Sequence, residues 1–207
     1  MMTGYLSVVI FSLAVQLLLL FNPIEATWQC PEACSCTGAS LYCFGASLIE
    51  IPSEIPDTYE GLYLGFNGIQ NVERDSLSHL GNLRLIDLTS NGIFQINDAT
   101  FEELQTLETL RLPFNNLRAI TVDLLSGLRS LEVLDVSNNV IDRIDPGSFD
   151  HLPNIKEINL RSNLIELLHP MMFRSLANLE IFLSDLTSSR RLRQLHYHFL
   201  PISRNWI

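Results

Sequence analysis

A chain of 207 residues that is 47% hydrophobic and 17% charged is long and apolar enough for one domain with a sizeable core, and is neither disordered nor fibrous in composition. Its formal net charge is −10, and Lys156 is its one lysine. Phosphate contacts need clustered Lys and Arg, so this balance argues against nucleic acid as a partner.

Leu6 to Phe21 is an apolar run broken only by Ser7, Ser12 and Gln16, and Pro23 and Ala26 follow it. The run reads as the core of a secretory signal peptide spanning 1–26, with cleavage expected near Ala26. A membrane helix needs ~20 apolar residues, and no second such run follows. The mature chain is therefore expected to be secreted or extracellular, without a membrane span of its own. A longer form would be the membrane-anchored one.

Next come Cys30, Cys34, Cys36 and Cys43, spaced C-x3-C-x-C-x6-C. Past an export signal, a clustered even number of cysteines reads as disulfides. A zinc site would want separated cysteine pairs or histidine partners, and no histidine precedes His79. Spacing alone leaves the pairing open. Ile51-Pro52 and Ile55-Pro56 follow; proline removes backbone donors and favours an extended path, which suits a leading edge strand.

From residue 59 a period takes over. Asn67, Asn91, Asn115, Asn139 and Asn163 are each 24 residues apart. Five residues before each stands Leu62, Ile86, Leu110, Leu134 or Ile158, and three before stands Leu64, Leu88, Leu112, Val136 or Leu160. Two after are Ile69, Ile93, Leu117, Ile141 and Ile165; ten after are Leu77, Phe101, Leu125, Phe149 and Phe173. Each L-x-L segment alternates with period two, as a short strand does. One such unit cannot bury its apolar face alone, but stacked copies form a continuous core. The Asn is placed to turn the chain and to bond backbone groups in its own and the adjacent coil.

The pattern L-x-x-L-x-L-x-x-N-x-I/L at 83–93, 107–117, 131–141 and 155–165 resembles the extracellular leucine-rich repeat family, and residues 27–58 resemble its cysteine-rich N-terminal cap. Both small leucine-rich proteoglycans and adhesion or guidance receptor ectodomains share this cysteine spacing. The resemblance implies an α/β horseshoe solenoid of about five repeats over 59–182, with a parallel concave sheet. It also implies Cys30–Cys36 and Cys34–Cys43 bridges, and a non-catalytic adhesion or binding module that holds a protein or matrix partner on that sheet. A second reading is a structural matrix component acting by self-association. Ser126-Gly127 falls on the convex side and no N-x-S/T sequon occurs, which weakens the proteoglycan branch.

Residues between the core leucines point to the concave face. Its central column is Tyr63, Asp87, Arg111, Asp135 and Asn159, flanked by Arg161 and, near the cap, by Phe66. This mixture of aromatic, polar and charged groups is what a specific protein interface requires. Arg111 between Asp87 and Asp135 is the expected centre, although mutual neutralisation across strands is the plainer role for the three. Nothing points to an enzyme. His79 and His151 precede convex leucines, no concave histidine accompanies the acids, and no phosphate loop, nucleophile elbow, metal motif or cofactor motif occurs.

The sixth copy begins with Leu179 and Phe182 and then departs: Ser184 stands at a core position and Thr187 at the Asn position. Residues 183–207 form a non-repeat basic tail with Arg190, Arg191, Arg193 and Arg204 against Asp185. Two accounts are open. Either a helix carrying Leu192, Leu195 and Phe199 improvises a cap, or the chain is a shortened product that leaves Leu176, Leu179 and Phe182 bare. The abrupt loss of register favours the second.

Overall fold

The computed structural model describes residues 28–185 and the backbone of Asn205–Trp206. The signal peptide expected over 1–26 and the tail segment of the alternative helical cap lie outside the described residues.

Six short parallel strands carry the repeat: β3 (Gly61–Tyr63), β5 (Leu85–Asp87), β7 (Thr109–Arg111), β9 (Val133–Asp135), β11 (Glu157–Asn159) and β12 (Ile181–Leu183). They pair in that order, one per coil. Tyr63 faces Asp87, Asp87 faces Arg111, Arg111 faces Asp135 and Asp135 faces Asn159. The 24-residue period thus becomes a straight register, with the middle residue of each strand inward. Leu62, Ile86, Leu110, Leu134 and Ile158 are fully buried.

Among the described residues the convex side holds no α-helix. It is built from 3-10 turns at Arg74–Ser76, Asp123–Leu125 and Pro170–Phe173, and from two small parallel ladders. These pair β4 (Asn71–Val72) with β6 (Gln95–Ile96), and β8 (Ala119–Ile120) with β10 (Arg143–Ile144). Phe101, Phe149 and Phe173 fill the space between the two sides and are 0–1% exposed. Where a convex polar group is buried, it bonds the preceding coil: Ser148 Oγ donates to Ile120 O at 3.0 Å.

The first five coils each leave their strand through a residue in the left-handed region. These are Phe66, Ser90, Phe114, Asn138 and Ser162, with φ between 54° and 58°. The Asn that follows closes the turn. Asn115 is 5% exposed; its Nδ2 donates to Leu88 O, Leu112 O and Pro113 O at 3.0–3.3 Å. Its Oδ1 accepts from the backbone amides of Asn91 and Ile93 at 3.1 and 2.9 Å. One side chain therefore satisfies backbone groups in two coils, and among the described residues no buried side-chain polar atom lacks a partner.

At the front, β1 (Ser35–Thr37) runs antiparallel to β2 (Ser40–Tyr42), and β2 joins the parallel sheet against β3. Disulfides join Cys30 to Cys36 and Cys34 to Cys43, the same pairing as the one implied by the resemblance. The proline stretch differs from expectation. No strand forms over 44–60; β1 and β2 hold the leading end of the sheet, and of that stretch Ile51 and Ile55 are buried, at 6% and 1% exposure, with Ala46, Leu48 and Tyr59 packed against the core. Two prolines withdraw the donors a ladder needs, so the segment crosses the end of the core as turns.

The far end differs too. Leu176, Leu179 and Phe182, expected to be bare, are 1%, 4% and 2% exposed. Phe182 meets Phe173 edge-to-face at 5.1 Å, and β13 (Asn205–Trp206) adds in parallel beyond β12.

Candidate functional site: the concave face

The outward residues of the strands form one row: Tyr42, Tyr63, Asp87, Arg111, Asp135, Asn159 and Leu183. Its acids do not neutralise Arg111. Asp87 Oδ1 accepts from the backbone amide and the hydroxyl of Thr89. Asp135 Oδ1 accepts from Ser137 N at 2.9 Å, and Asn159 Oδ1 from Arg161 N at 3.2 Å. These are Asx turns: a short side chain satisfies the amide two residues on, where the strand ends and the ladder stops supplying partners. Tyr63 and Arg111 cannot make that turn. Arg111 is exposed and has no ion pair among the described residues; Arg161, half-buried, has none either.

Beside this row lies a charged flank one residue before the strands. Arg84 reaches Glu60 at 3.5 Å and Glu108 at 2.5 Å, and Lys156 reaches Glu132 at 2.7 Å. The hydrogen bond that the Lys156 ammonium donates to Glu132 raises its pKa above the ordinary lysine value. Exposed pairs of this kind contribute little stability, so the flank chiefly sets the sign of the rim.

Toward the cap the surface turns aromatic. Tyr42 and Tyr63 stack with centroids 4.6 Å apart and planes at 12°, and Phe44 lies against Phe66 at 4.6 Å. Two glycines make this possible. A Cβ on Gly61 would meet the Tyr63 ring at 3.2 Å, and one on Gly65 would meet the Phe44 ring at 3.1 Å. With hydrogen at both positions the rings lie over the sheet. Tyr42, Phe44 and Phe66 remain 42%, 64% and 55% exposed.

Of the residues singled out from the sequence, Tyr63, Asp87, Arg111, Asp135 and Asn159 share one row, Arg161 lies one column over, and Phe66 sits at the rim. Tyr42 and Phe44 were not in that set. Leu41 pairs with Leu62, an offset of 21 residues rather than 24, so a search at the repeat period passes over the cap coil. Trp28, edge-on to Tyr59 at 5.4 Å, belongs to the packing of the cap.

Among the described residues no group of three or more His, Cys, Asp and Glu side chains stands ready to hold a metal ion. His79 Nε2 bonds Ile55 O at 2.9 Å, and His169 caps the 3-10 turn at Met171. No described helix is long and apolar enough to cross a membrane.

These features define a disulfide-capped repeat solenoid with an open concave sheet. Residues 60–117, 105–165 and 129–185 match the Leucine rich repeat family, and the chain belongs to it. It is 36% identical over 86 residues to Leucine-rich repeat-containing protein 3B of Homo sapiens, covering 38% of this chain and 33% of that one. Opticin of Canis lupus familiaris is 39% identical over 74 residues, 36% of this chain and 22% of its own. Epiphycan of Gallus gallus is 32% identical over 74 residues, again 36% of this chain and 23% of its own. The matched stretch thus spans a third or less of these relatives. Among solved structures, the TLR13 chain of a TLR13–ssRNA13 complex superposes with a TM-score of 0.68 at 26% identity, covering 72% of this chain and 22% of that one.

Proposed function

We propose that this chain is a non-catalytic extracellular recognition module that holds a protein or matrix partner on its concave face, through Tyr63, Phe66, Asp87, Arg111, Asp135, Asn159 and Arg161. One observation carries the reading. The exposed Arg111 guanidinium stands between two carboxylates that are turned to the strand ends, so the row presents charge rather than cancelling it. A sheet fixed by main-chain ladders holds such groups in place before binding, which lowers the ordering cost of association. Two disulfides fit an oxidising, extracellular setting.

The test is capture from a panel of purified extracellular proteins by the full disulfide-bonded chain and by an Arg111→Ala/Asp135→Asn variant. Asparagine at 135 keeps an oxygen for the Ser137 amide, as Asn159 does for Arg161, so charge changes while the turn stays. The expected result is loss of capture with an unchanged melting temperature, and full capture by the convex control Arg118→Ala. Undiminished capture by the concave variant rejects this face.

A further inference from the structure

The aromatic end of the concave face has a chemistry of its own. We infer that Tyr42, Phe44, Tyr63 and Phe66 form a docking platform for a cationic polypeptide segment, whose Arg or Lys side chains lie on the exposed ring faces. The inference rests on the concave-face reading and names the partner's chemistry at one end of it.

Three observations support it. First, the rings are preassembled: two pairs at 4.6 Å sit over Gly61 and Gly65, so no rotamer has to be found on binding. Second, Phe66, at the turn position that recurs from coil to coil, sets a ring that is 55% exposed against Phe44. Burial in the chain's own core does not account for it. Third, the cap end is acidic: residues 28–73 carry six carboxylates and no Lys or Arg, and Arg84 on the adjacent flank is already paired with Glu60 and Glu108. Asp87, the next group in register after Tyr63, uses Oδ1 for both of its bonds from Thr89, leaving Oδ2 without a partner among the described residues. Residues 28–185 carry 22 carboxylates against nine cationic side chains, a net of −13. A cation within ~6 Å of an aromatic face is attracted by the ring quadrupole, and a guanidinium also stacks on it. The same acidic field disfavours an anionic lipid surface or a sulfated glycan. A basic segment of polypeptide satisfies both the rings and the field.

The probe is a library of random 12-residue peptides displayed on phage, selected on the full disulfide-bonded chain. Individual clones are then measured on a Tyr63→Ser/Phe66→Gly variant whose melting curve is taken alongside. Enriched peptides should be rich in Arg or Lys and bind the variant on the order of tenfold more weakly or worse. Their affinity should also fall as salt rises from about 0.05 to 0.5 M. Glycine at 66 relieves the left-handed backbone, so weakened binding without a lower melting temperature separates a lost platform from a lost fold. Enrichment of neutral or acidic sequences, equal binding to the variant, or no enrichment overturns the inference. If protein capture depends on Arg111 and Asp135 while the selected peptides ignore Tyr63 and Phe66, the platform is wrong and the concave-face reading stands.

Discussion

Left-handed backbone recurs at one residue per coil, and the side chains there differ widely in how well they tolerate it. Asn138 suits the conformation because a short amide can bond locally; Phe114, at φ 57° and 58% exposed, gains no such help. Phe114→Asn is therefore expected to stabilise the chain by about 1 kcal/mol, seen as a rise of a few degrees in melting temperature. An unchanged or lower value would mean that the Phe114 ring makes a contact worth as much as the strain. Asn115 is the opposite case, since every polar atom of its amide is used. Asn115→Ala strands the amides of Asn91 and Ile93, while the carbonyls of Leu88 and Leu112 keep their bonds from Asn91 and Asn139 Nδ2, and is expected to destabilise by about 3 kcal/mol in a urea titration. Asn67→Ala, at a half-buried site with one acceptor bond from Leu48, should lose clearly less.

At the scale of the element, the coils are held together by groups outside the leucine pattern. On the convex side Asp150 accepts from the Arg174 guanidinium in the next coil and from Ser175 Oγ at 2.6 Å. The Arg174 hydrogen bond chiefly holds the Asp150 carboxyl below the usual carboxylate range; burial, next in size, opposes it, and Ser175 and the charge of Arg174 lower it further. Because the folded value lies below the unfolded one, Asp150 adds stability above about pH 4, and that contribution is lost as the pH falls through the folded value. Melting curves recorded between about pH 2 and 6 should therefore fall less steeply toward acid in Asp150→Asn than in the parent. Parallel curves would remove Asp150 from the account. This contact was not legible in the sequence, since Asp150 and Arg174 occupy surface positions of the period. The same holds for the Asx turns, where Asp87 and Asp135 resemble ion-pair partners of Arg111 until their oxygens are located. What the period did reveal was the inward residue of the repeat strands from β3 to β12 and the turn-forming Asn of the first five coils, because burial and turn geometry demand the same residue type in each of them.

For the whole molecule, the repeat delivers a rigid concave surface whose character changes along its length, from aromatic at the cap through alternating charge in the middle. The 21-residue offset between Leu41 and Leu62 hid half of the aromatic end from a periodic search, although Tyr63 and Phe66 were visible. The sixth coil was legible as far as Phe182 and no further. Ser184 and Thr187 break the pattern, yet Phe182 still enters the core because its inward position precedes the break.

The central claim is that a partner is held on the concave side, and hydroxyl-radical footprinting tests it most directly. The chain is oxidised alone and with the strongest binder from the extracellular panel, and modification is read residue by residue. The account predicts protection of Tyr42, Tyr63 and Phe66, with Met171 on the convex side, itself 41% exposed, modified as before. Protection of Met171 with the three concave aromatics oxidised as freely as in the unbound chain would contradict it.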